Sequence, residues 1–105
     1  MAKNFIEDIA FGAQGSTYAD ASSNAITPPA NQVYVAIQML TDTTFDSANG
    51  LVSESATLSI NTEGVGAGTG GKVVDSVIFT AGTTIYGRWT EIDITTGSII
   101  AYVGN

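Results

Sequence analysis

The sequence predicts a single all-β domain: a β-sandwich, a jelly-roll-like fold or a small barrel, with an N-terminal arm or loop. Several short segments alternate apolar and polar residues with a period of two, and Gly-, Ser- and Asn-rich turns separate them. No window longer than about ten residues has helical periodicity with plausible caps. Because 105 residues leave room for one core, we expect residues 1–30 to form the arm or loop and residues 31–105 the β domain.

Residues 1–30 have the weakest strand pattern of the chain. Asn4 to Phe11 is the best helical candidate but is short. From Gln14 to Asn24 the residues are small and polar apart from Tyr18, and Pro28-Pro29 follows, so this stretch is predicted to be a loop or arm. No apolar segment has the length of a signal peptide core or a membrane span, so neither export nor membrane insertion is expected.

The first core strand is predicted directly after the prolines. Residues 33–40 alternate, yet both alternating sets are mainly apolar: Val33, Val35, Ile37 and Met39 on one face, and Tyr34, Ala36, Gln38 and Leu40 on the other. A strand of this kind lies centrally between two layers, or it covers one layer and contacts a partner chain with its other face.

Short strands and one irregular loop are predicted for the middle of the chain. Residues 43–45 can form a short strand, and residues 47–50 have the Asn-Gly signal of a hairpin turn. Residues 56–61 alternate as a half-buried strand, and residues 64–71 are too glycine-rich for a regular element. Residues 73–80 are predicted to form another strand. The pattern does not decide which of its two alternating sets of residues faces the core.

The last third of the sequence has the clearest strand pattern. Residues 83–89, 90–95 and 98–103 predict two or three successive strands, with Thr96-Gly97 as a turn. In the middle segment Ile92 and Ile94 are expected to face inward, and Glu91 and Asp93 outward. In the last segment Ile99, Ala101 and Val103 are expected to lie on one face.

Composition excludes several kinds of chemistry. The chain has no Cys and no His, so it lacks disulfides, imidazole ligands and the usual nucleophile–base pairs, and we expect neither enzymatic activity nor a cofactor. A net charge of −7 disfavours nucleic acid and anionic membranes as partners. Only 12% of residues are charged while 44% are hydrophobic, which predicts a neutral surface that a partner covers. A well-hydrated Thr, Ser, Asn and Gly surface is the alternative.

One glycine-rich stretch partly matches nucleotide-binding motifs. Gly66, Gly68 and Gly71 fit G-x-G-x-x-G, and the segment that ends in Lys72 fits G-x-x-x-x-G-K. A phosphate loop also needs Ser or Thr after the lysine and a helix that begins there, whereas Val73 follows Lys72 and begins a predicted strand. The stretch is therefore predicted to be a flexible connection or a loop that a neighbouring subunit orders.

Two groups of acidic residues are candidate sites. Asp42, Asp46 and Glu54 could hold a cation on one loop, although the spacing lacks the Gly and Glu of a calcium-binding EF-hand loop. Glu91 and Asp93 are two apart on a predicted strand, a separation compatible with paired-carboxylate chemistry. Solvated acids on a loop are the favoured explanation of the first group, and the outward polar positions of a half-exposed strand are the favoured explanation of the second.

Three aromatic residues offer a further alternative. Trp89 is expected to be the largest core or interface residue, but Tyr86, Trp89 and Tyr102 could together form a platform for carbohydrate. That alternative requires these rings to be exposed.

Two blocks of sequence carry a family resemblance. They are Val35 to Phe45, VAIQMLTDTTF, and Gly82 to Tyr102, GTTIYGRWTEIDITTGSIIAY. With the residues around them, the likeness covers about residues 28 to 104. The blocks resemble those of small proteins encoded by tailed phages of marine bacteria, cyanophages in particular. The resemblance implies a role in virion structure and no active site.

Composition and resemblance together lead us to expect a capsid decoration or cement protein that binds the outside of the assembled head and stabilises it. The expected location is the virion, after synthesis in the host cytoplasm. The expected partner is the major capsid protein or another virion subunit, and a homo-oligomer, preferably a trimer, is expected. Apolar or flexible residues outside the predicted core strands are the candidate docking residues: Phe5, Ile6, Ile9, Phe11, Gly66, Gly68 and Lys72. A tail, neck or head-fibre component is the alternative.

Overall fold

The computed structural model describes residues 15–105. These residues form seven β-strands and no helix, which confirms the predicted all-β class. The strands are β1 Ser16–Asp20, β2 Val33–Met39, β3 Thr44–Phe45, β4 Leu51–Ser53, β5 Thr84–Ile92, β6 Ile94–Thr96 and β7 Ser98–Gly104.

The seven strands form two antiparallel sheets of unequal size. The large sheet has the order β1-β7-β2-β5-β4, and β3 pairs with β6 in the small sheet. The chain leaves the large sheet after β2 to form β3 and returns as β4, and it leaves again after β5 to form β6 and returns as β7. Because β3 and β6 pair with each other, the small sheet connects the two halves of the chain.

One face of the large sheet carries the hydrophobic core. Phe45 of β3, Ile94 of β6 and Val74 of the β4–β5 connection belong to the same buried cluster as the strands of the large sheet. Trp89 is the largest fully buried side chain. The second layer therefore consists of the small sheet and a segment of loop instead of a second large sheet.

The central strand is β2, as its doubly apolar sequence predicts. It lies between β7 and β5, and its register with both neighbours shifts between Tyr34 and Ala36. The shift places Tyr34 opposite Trp89 on the core face, and Ala36 opposite Tyr86 and Tyr102 on the other face. Ala36 is nonetheless buried, because larger side chains flank it on both neighbouring strands.

The last third of the chain follows the predicted alternation. Ile92 and Ile94 are buried, and so are Ile99, Ala101 and Val103 on β7. The first predicted segment and the first part of the second form one nine-residue strand, β5, whereas residues 94–95 of the second belong to β6. Asp93 alone separates the two strands. The chain changes sheets at that residue.

Two predicted strands are absent. Residues 56–61 and residues 73–80 both alternate in sequence, but neither stretch forms a strand. Phe79 makes only a single bridge, with Thr43. Period-two alternation specifies which residues would share a face but not which strand would pair with them, and the outer edge of β4 is occupied by the Thr62 main chain and side chain.

Two further local predictions are wrong. Residues 49–50 lie in a turn, but the strands on either side, β3 and β4, belong to different sheets, so the turn does not close a hairpin. Ser16–Asp20 lies within the predicted loop yet forms β1, the edge strand paired with β7. Its small side chains fit there because Thr17 and Ala19 lie opposite Ala101 and Ile99 on the core side.

The turn at Gly97 depends on glycine for two reasons. Its φ is +99°, and a Cβ at this position would collide with the carbonyl oxygen of Asp42 and with Thr43. We expect Gly97→Ala to lower the free energy of unfolding by about 2–3 kcal/mol in a denaturant titration. Gly82→Ala is the matched control, since Gly82 has a φ of +90° and no atom within 4 Å of such a Cβ. Equal losses for the two variants would contradict the steric explanation.

Candidate functional site

The connection between β4 and β5 is the most unusual feature of the fold. It covers residues 54–83 and contains no helix or strand. Connections longer than about 15 residues without secondary structure are uncommon in compact domains, and they are usually functional or disordered. Hydrogen bonds of the Asn61 and Thr62 side chains support this connection, which is the candidate site.

Asn61 is the main polar anchor of the connection. Its side chain is 1% exposed. Its Nδ2 donates to the carbonyl oxygens of Ser59 at 2.7 Å and Ala56 at 3.2 Å. Its Oδ1 accepts from the backbone N–H groups of Glu63 at 2.8 Å and Gly64 at 2.5 Å. One buried amide therefore satisfies four main-chain groups that no strand partner satisfies.

Thr62 attaches the connection to the edge of the large sheet. Its N–H donates to the Leu51 carbonyl at 3.0 Å, and the Leu51 N–H donates to Thr62 Oγ1 at 3.2 Å. Further along, the Val74 N–H donates to the Asn61 carbonyl at 3.1 Å. The bonds between Leu51 and Thr62 cover the start of the edge of β4, which would otherwise present free main-chain groups there.

Aromatic residues supply two more attachments. Phe79 exchanges two main-chain hydrogen bonds of 2.8 Å with Thr43, and its ring meets that of Phe45 edge-on at 5.4 Å. Trp89 donates from Nε1 to the Ile60 carbonyl at 2.7 Å. The indole thus fills the core with its ring and holds the connection with its one polar atom.

Apolar side chains project outward from this anchored connection. Nine large hydrophobic residues are exposed in the described part of the chain, and six of them lie between residues 54 and 83. We call these six the loop surface: Leu58, Ile60, Val65, Val73, Val77 and Ile78. Ile78 is the most exposed of the six, at 63%. Exposed apolar residues that lie together mark contact surfaces more often than scattered ones do.

Main-chain contacts bring the first part of the loop surface together. The Gly66 N–H donates to the Ala56 carbonyl at 3.2 Å, which sets residues 64–66 beside residues 56–60. Gly71 lies against the carbonyl oxygen of Val65, so close that a Cβ there would collide with it. Leu58, Ile60, Val65 and Val73 therefore lie on adjacent segments.

The candidate docking residues are divided between this surface and the undescribed part of the chain. Gly66 is buried within the connection, while Gly68 and Lys72 are exposed beside the loop surface. No helix begins after Lys72, so the context of a phosphate loop is missing. The four apolar candidates nearest the N-terminus lie outside the described residues: Phe5, Ile6, Ile9 and Phe11.

Arg88 forms an ion pair that the sequence did not indicate. Its Nε donates to Glu54 Oε1 at 2.7 Å and its Nη2 to Oε2 at 3.3 Å, while Nη1 donates to the Asn105 carbonyl at 2.9 Å. The hydrogen bond from Arg88 lowers the pKa of Glu54, and the same bond raises the pKa of Arg88. Lys72 is the other basic side chain among the described residues, and no ion pair joins it to them.

The three acidic residues of the candidate cation site have separate contacts. Asp42 accepts from the Ala81 N–H at 2.9 Å, and Asp46 accepts from the Ala48 N–H at 3.0 Å. Glu54 is bound to Arg88. Residues 15–105 contain no group of three or more acidic side chains placed to hold a metal ion.

The paired carboxylates predicted from the sequence do not lie on one strand. Glu91 belongs to β5, opposite Val52, whereas Asp93 lies in the link between the sheets. No concave pocket is present beside them or elsewhere in the described range.

The predicted aromatic platform does not form. Trp89 is fully buried on the core face, whereas Tyr86 is 64% exposed on the opposite face. Tyr102 shares that opposite face, since both tyrosines are in register with Ala36. Tyr18 on β1 is another exposed tyrosine, at a position that the sequence placed in a loop.

Comparison with known proteins gives no relative. No family model, no curated protein and no solved structure matches the chain.

Proposed function

We propose that the chain is a structural protein of a phage particle, one that decorates the outside of the assembled head and stabilises it. The observation that carries this proposal is the loop surface. Its apolar side chains are exposed on a connection that the hydrogen bonds of Asn61 and Thr62 support. A surface with this composition is suited to burial against another subunit.

Burial of apolar area supplies the stabilising mechanism. Each square ångström of apolar surface removed from water contributes roughly 25 cal/mol before the costs of association are subtracted. Glu63, Lys72 and Asp75 are interspersed in sequence with the residues of the loop surface, so burial of this surface has to pair these charges or leave them at its rim. In a shell with many equivalent positions, a modest gain at each position adds up over the lattice.

The family resemblance, which comes from the sequence alone, supports the same proposal. Its two blocks form β2, β3, β5, β6 and most of β7, which are the centre of the large sheet and all of the small sheet. The loop surface lies between the two blocks in sequence. The resembling segments therefore build the scaffold, and the segment between them carries the contact surface.

The partner we propose is the major capsid protein or another virion subunit. A tail, neck or head-fibre position would use the same scaffold and the same loop surface, so location on the particle distinguishes these alternatives. Among residues 15–105, no helix is both long and apolar enough to cross a membrane.

Co-sedimentation tests the proposal. Purified chain is mixed with expanded capsids of the phage type it resembles, prepared without their own decoration protein, and the pellet is quantified. We expect saturable binding, and we expect Val65→Asp to weaken it at least about tenfold because a charge would be buried. Tyr18→Asp is the matched control, since Tyr18 is 60% exposed on the opposite edge of the sheet. Absence of a sedimenting complex would contradict the proposal.

A further inference from the structure

We infer that Asn49 is a site of spontaneous covalent modification, at which the folded chain loses ammonia and acquires an aspartate or isoaspartate residue. The inference is independent of the proposed function, because it concerns a turn between the two sheets and not the loop surface. The site is the one Asn-Gly pair of the sequence, Asn49-Gly50.

The turn that contains this pair is bonded to the other crossing between the sheets. Residues 46–50 connect β3 of the small sheet to β4 of the large sheet, and Asp93 connects β5 of the large sheet to β6 of the small sheet. The Asp93 carbonyl accepts from the Asp46 N–H at 2.9 Å, and the Asp93 N–H donates to the Gly50 carbonyl at 2.8 Å. Both ends of the turn are therefore bonded to the same residue.

The packing of this turn requires glycine at position 50. Gly50 is buried, and a Cβ there would collide with the main chain of Asp46. The missing side chain also leaves the Gly50 main-chain nitrogen open to approach by the side chain that precedes it. The fold therefore retains, directly after Asn49, the residue that least hinders an attack on the asparagine amide.

Asn49 is accessible both to water and to this nitrogen. Its side chain is exposed in the turn formed by residues 47–49. Within residues 15–105 no hydrogen bond holds its amide group, and the Gly50 N–H has no acceptor there. The two reacting groups belong to neighbouring residues, so the reaction is intramolecular and needs no further group to be brought into position.

The reaction follows from these two groups and water. The Gly50 main-chain nitrogen attacks Cγ of Asn49, a bond forms between them, and the Cγ–Nδ2 bond breaks. The leaving NH₂ group takes up the proton of the attacking nitrogen and departs as ammonia. Water then opens the cyclic imide. Attack of water at Cγ gives aspartate, whereas attack at the main-chain carbonyl carbon gives isoaspartate.

Isoaspartate is expected to disturb the turn more than aspartate does. Its main chain runs through Cβ and Cγ, which lengthens the path to Gly50 by a carbon atom. Because Gly50 packs against the main chain of Asp46 and both residues are bonded to Asp93, the longer path would displace at least one of these contacts. We expect the hydrogen-exchange rate of the Asp93 N–H to rise at least about tenfold in the isoaspartate form.

Other asparagines of the chain serve as internal comparisons. Asn24 and Asn31 are also exposed, but the residue that follows each of them carries a side chain. Asn61 is buried, and its amide is hydrogen-bonded at both Nδ2 and Oδ1. Asn49 alone among these four combines exposure with a following glycine, so it should react first.

Peptide mapping by mass spectrometry of the folded chain, incubated at mildly alkaline pH, tests the inference. We expect the peptide with Asn49 to become about 1 Da heavier, at least about tenfold faster than the peptides with Asn24 or Asn31. The rate should rise with pH, because the attacking nitrogen has to lose its proton. Asn49→Ser should abolish the mass gain and leave the melting temperature unchanged, since serine suits an exposed turn. No gain at Asn49, or equal gains at all three positions, would overturn the inference.

Asn49→Asp separates the added charge from the longer main chain. Freshly purified, this variant should keep the wild-type melting temperature and the wild-type exchange rate at the Asp93 N–H. The isoaspartate fraction of aged wild-type chain, isolated by chromatography, should melt at a lower temperature and exchange faster there. An isoaspartate fraction as stable as the wild type would overturn the effect on the turn that we infer.

Discussion

Replacing Trp89 with alanine is expected to lower the free energy of unfolding by about 3–5 kcal/mol, the largest loss for any single substitution in this chain. The indole is 0% exposed and lies opposite Tyr34 in the centre of the large sheet. Its removal would leave a cavity and also leave the Ile60 carbonyl without its 2.7 Å donor. Urea titration followed by circular dichroism measures the loss.

Tyr86→Ala is the control for this prediction, because Tyr86 lies on the same strand but is 64% exposed. Its expected cost is about 1 kcal/mol or less. Trp89→Phe should fall between the two, since it keeps most of the ring packing and loses the hydrogen bond. Similar stability for Trp89→Ala and Tyr86→Ala would show that the core is not organised around the indole.

The second large effect is expected at Asn61. Asn61→Ala removes the buried amide that bonds to four main-chain groups, and we expect a loss of about 3 kcal/mol in the free energy of unfolding. The loss arises because the freed N–H and C=O groups have no strand partner to replace the amide. The backbone N–H groups of Glu63 and Gly64 donate to Asn61 Oδ1, so their hydrogen-exchange rates should increase most.

The same substitution should also weaken partner binding. Without Asn61 the segments that carry Leu58 and Val65 lose their fixed spacing, so association would require ordering them first. Asn24→Ala is the matched control because Asn24 is exposed, and it should change neither stability nor binding. Fast exchange at Glu63 already present in the wild type would contradict the anchoring role of Asn61.

The sequence was most informative where a strand is buried by its neighbours on both sides. The apolar pattern of residues 33–39 specifies a central strand, and β2 lies between β7 and β5. Alternation in residues 98–104 likewise specifies which side chains of β7 reach the core. In these segments the hydrophobic effect and the two-residue period favour the same conformation, so the local sequence is sufficient to predict the strand.

The sequence was misleading where side-chain hydrogen bonds decide the conformation. Residues 56–61 alternate as a strand would, but the amide of Asn61 bonds the main chain locally and leaves Leu58 and Ile60 exposed. No short-range pattern distinguishes this use of asparagine from its ordinary role in a turn. The loop prediction for residues 16–20 was wrong for the opposite reason. Their mostly small side chains give no strand signal, and pairing with β7 makes this stretch a strand.

The candidate site was only partly predictable. The glycine-rich stretch identified Gly66, Gly68 and Lys72, and the structure places them in or beside the loop surface. The strand pattern assigns the apolar residues of that surface other than Val65 to core strands, because a sequence does not show whether an apolar residue faces the core or a partner. Arg88 and Glu54 are 34 positions apart, too far for a sequence pattern to connect them.

A cryo-electron microscopy map of the particle tests the central claim most directly, namely that the loop surface is covered by another subunit. We expect density for this fold on the outside of the head, with residues 58–78 at a contact between subunits. A particle without this chain, or a map in which Val65 and Ile78 face solvent in every copy, would contradict it.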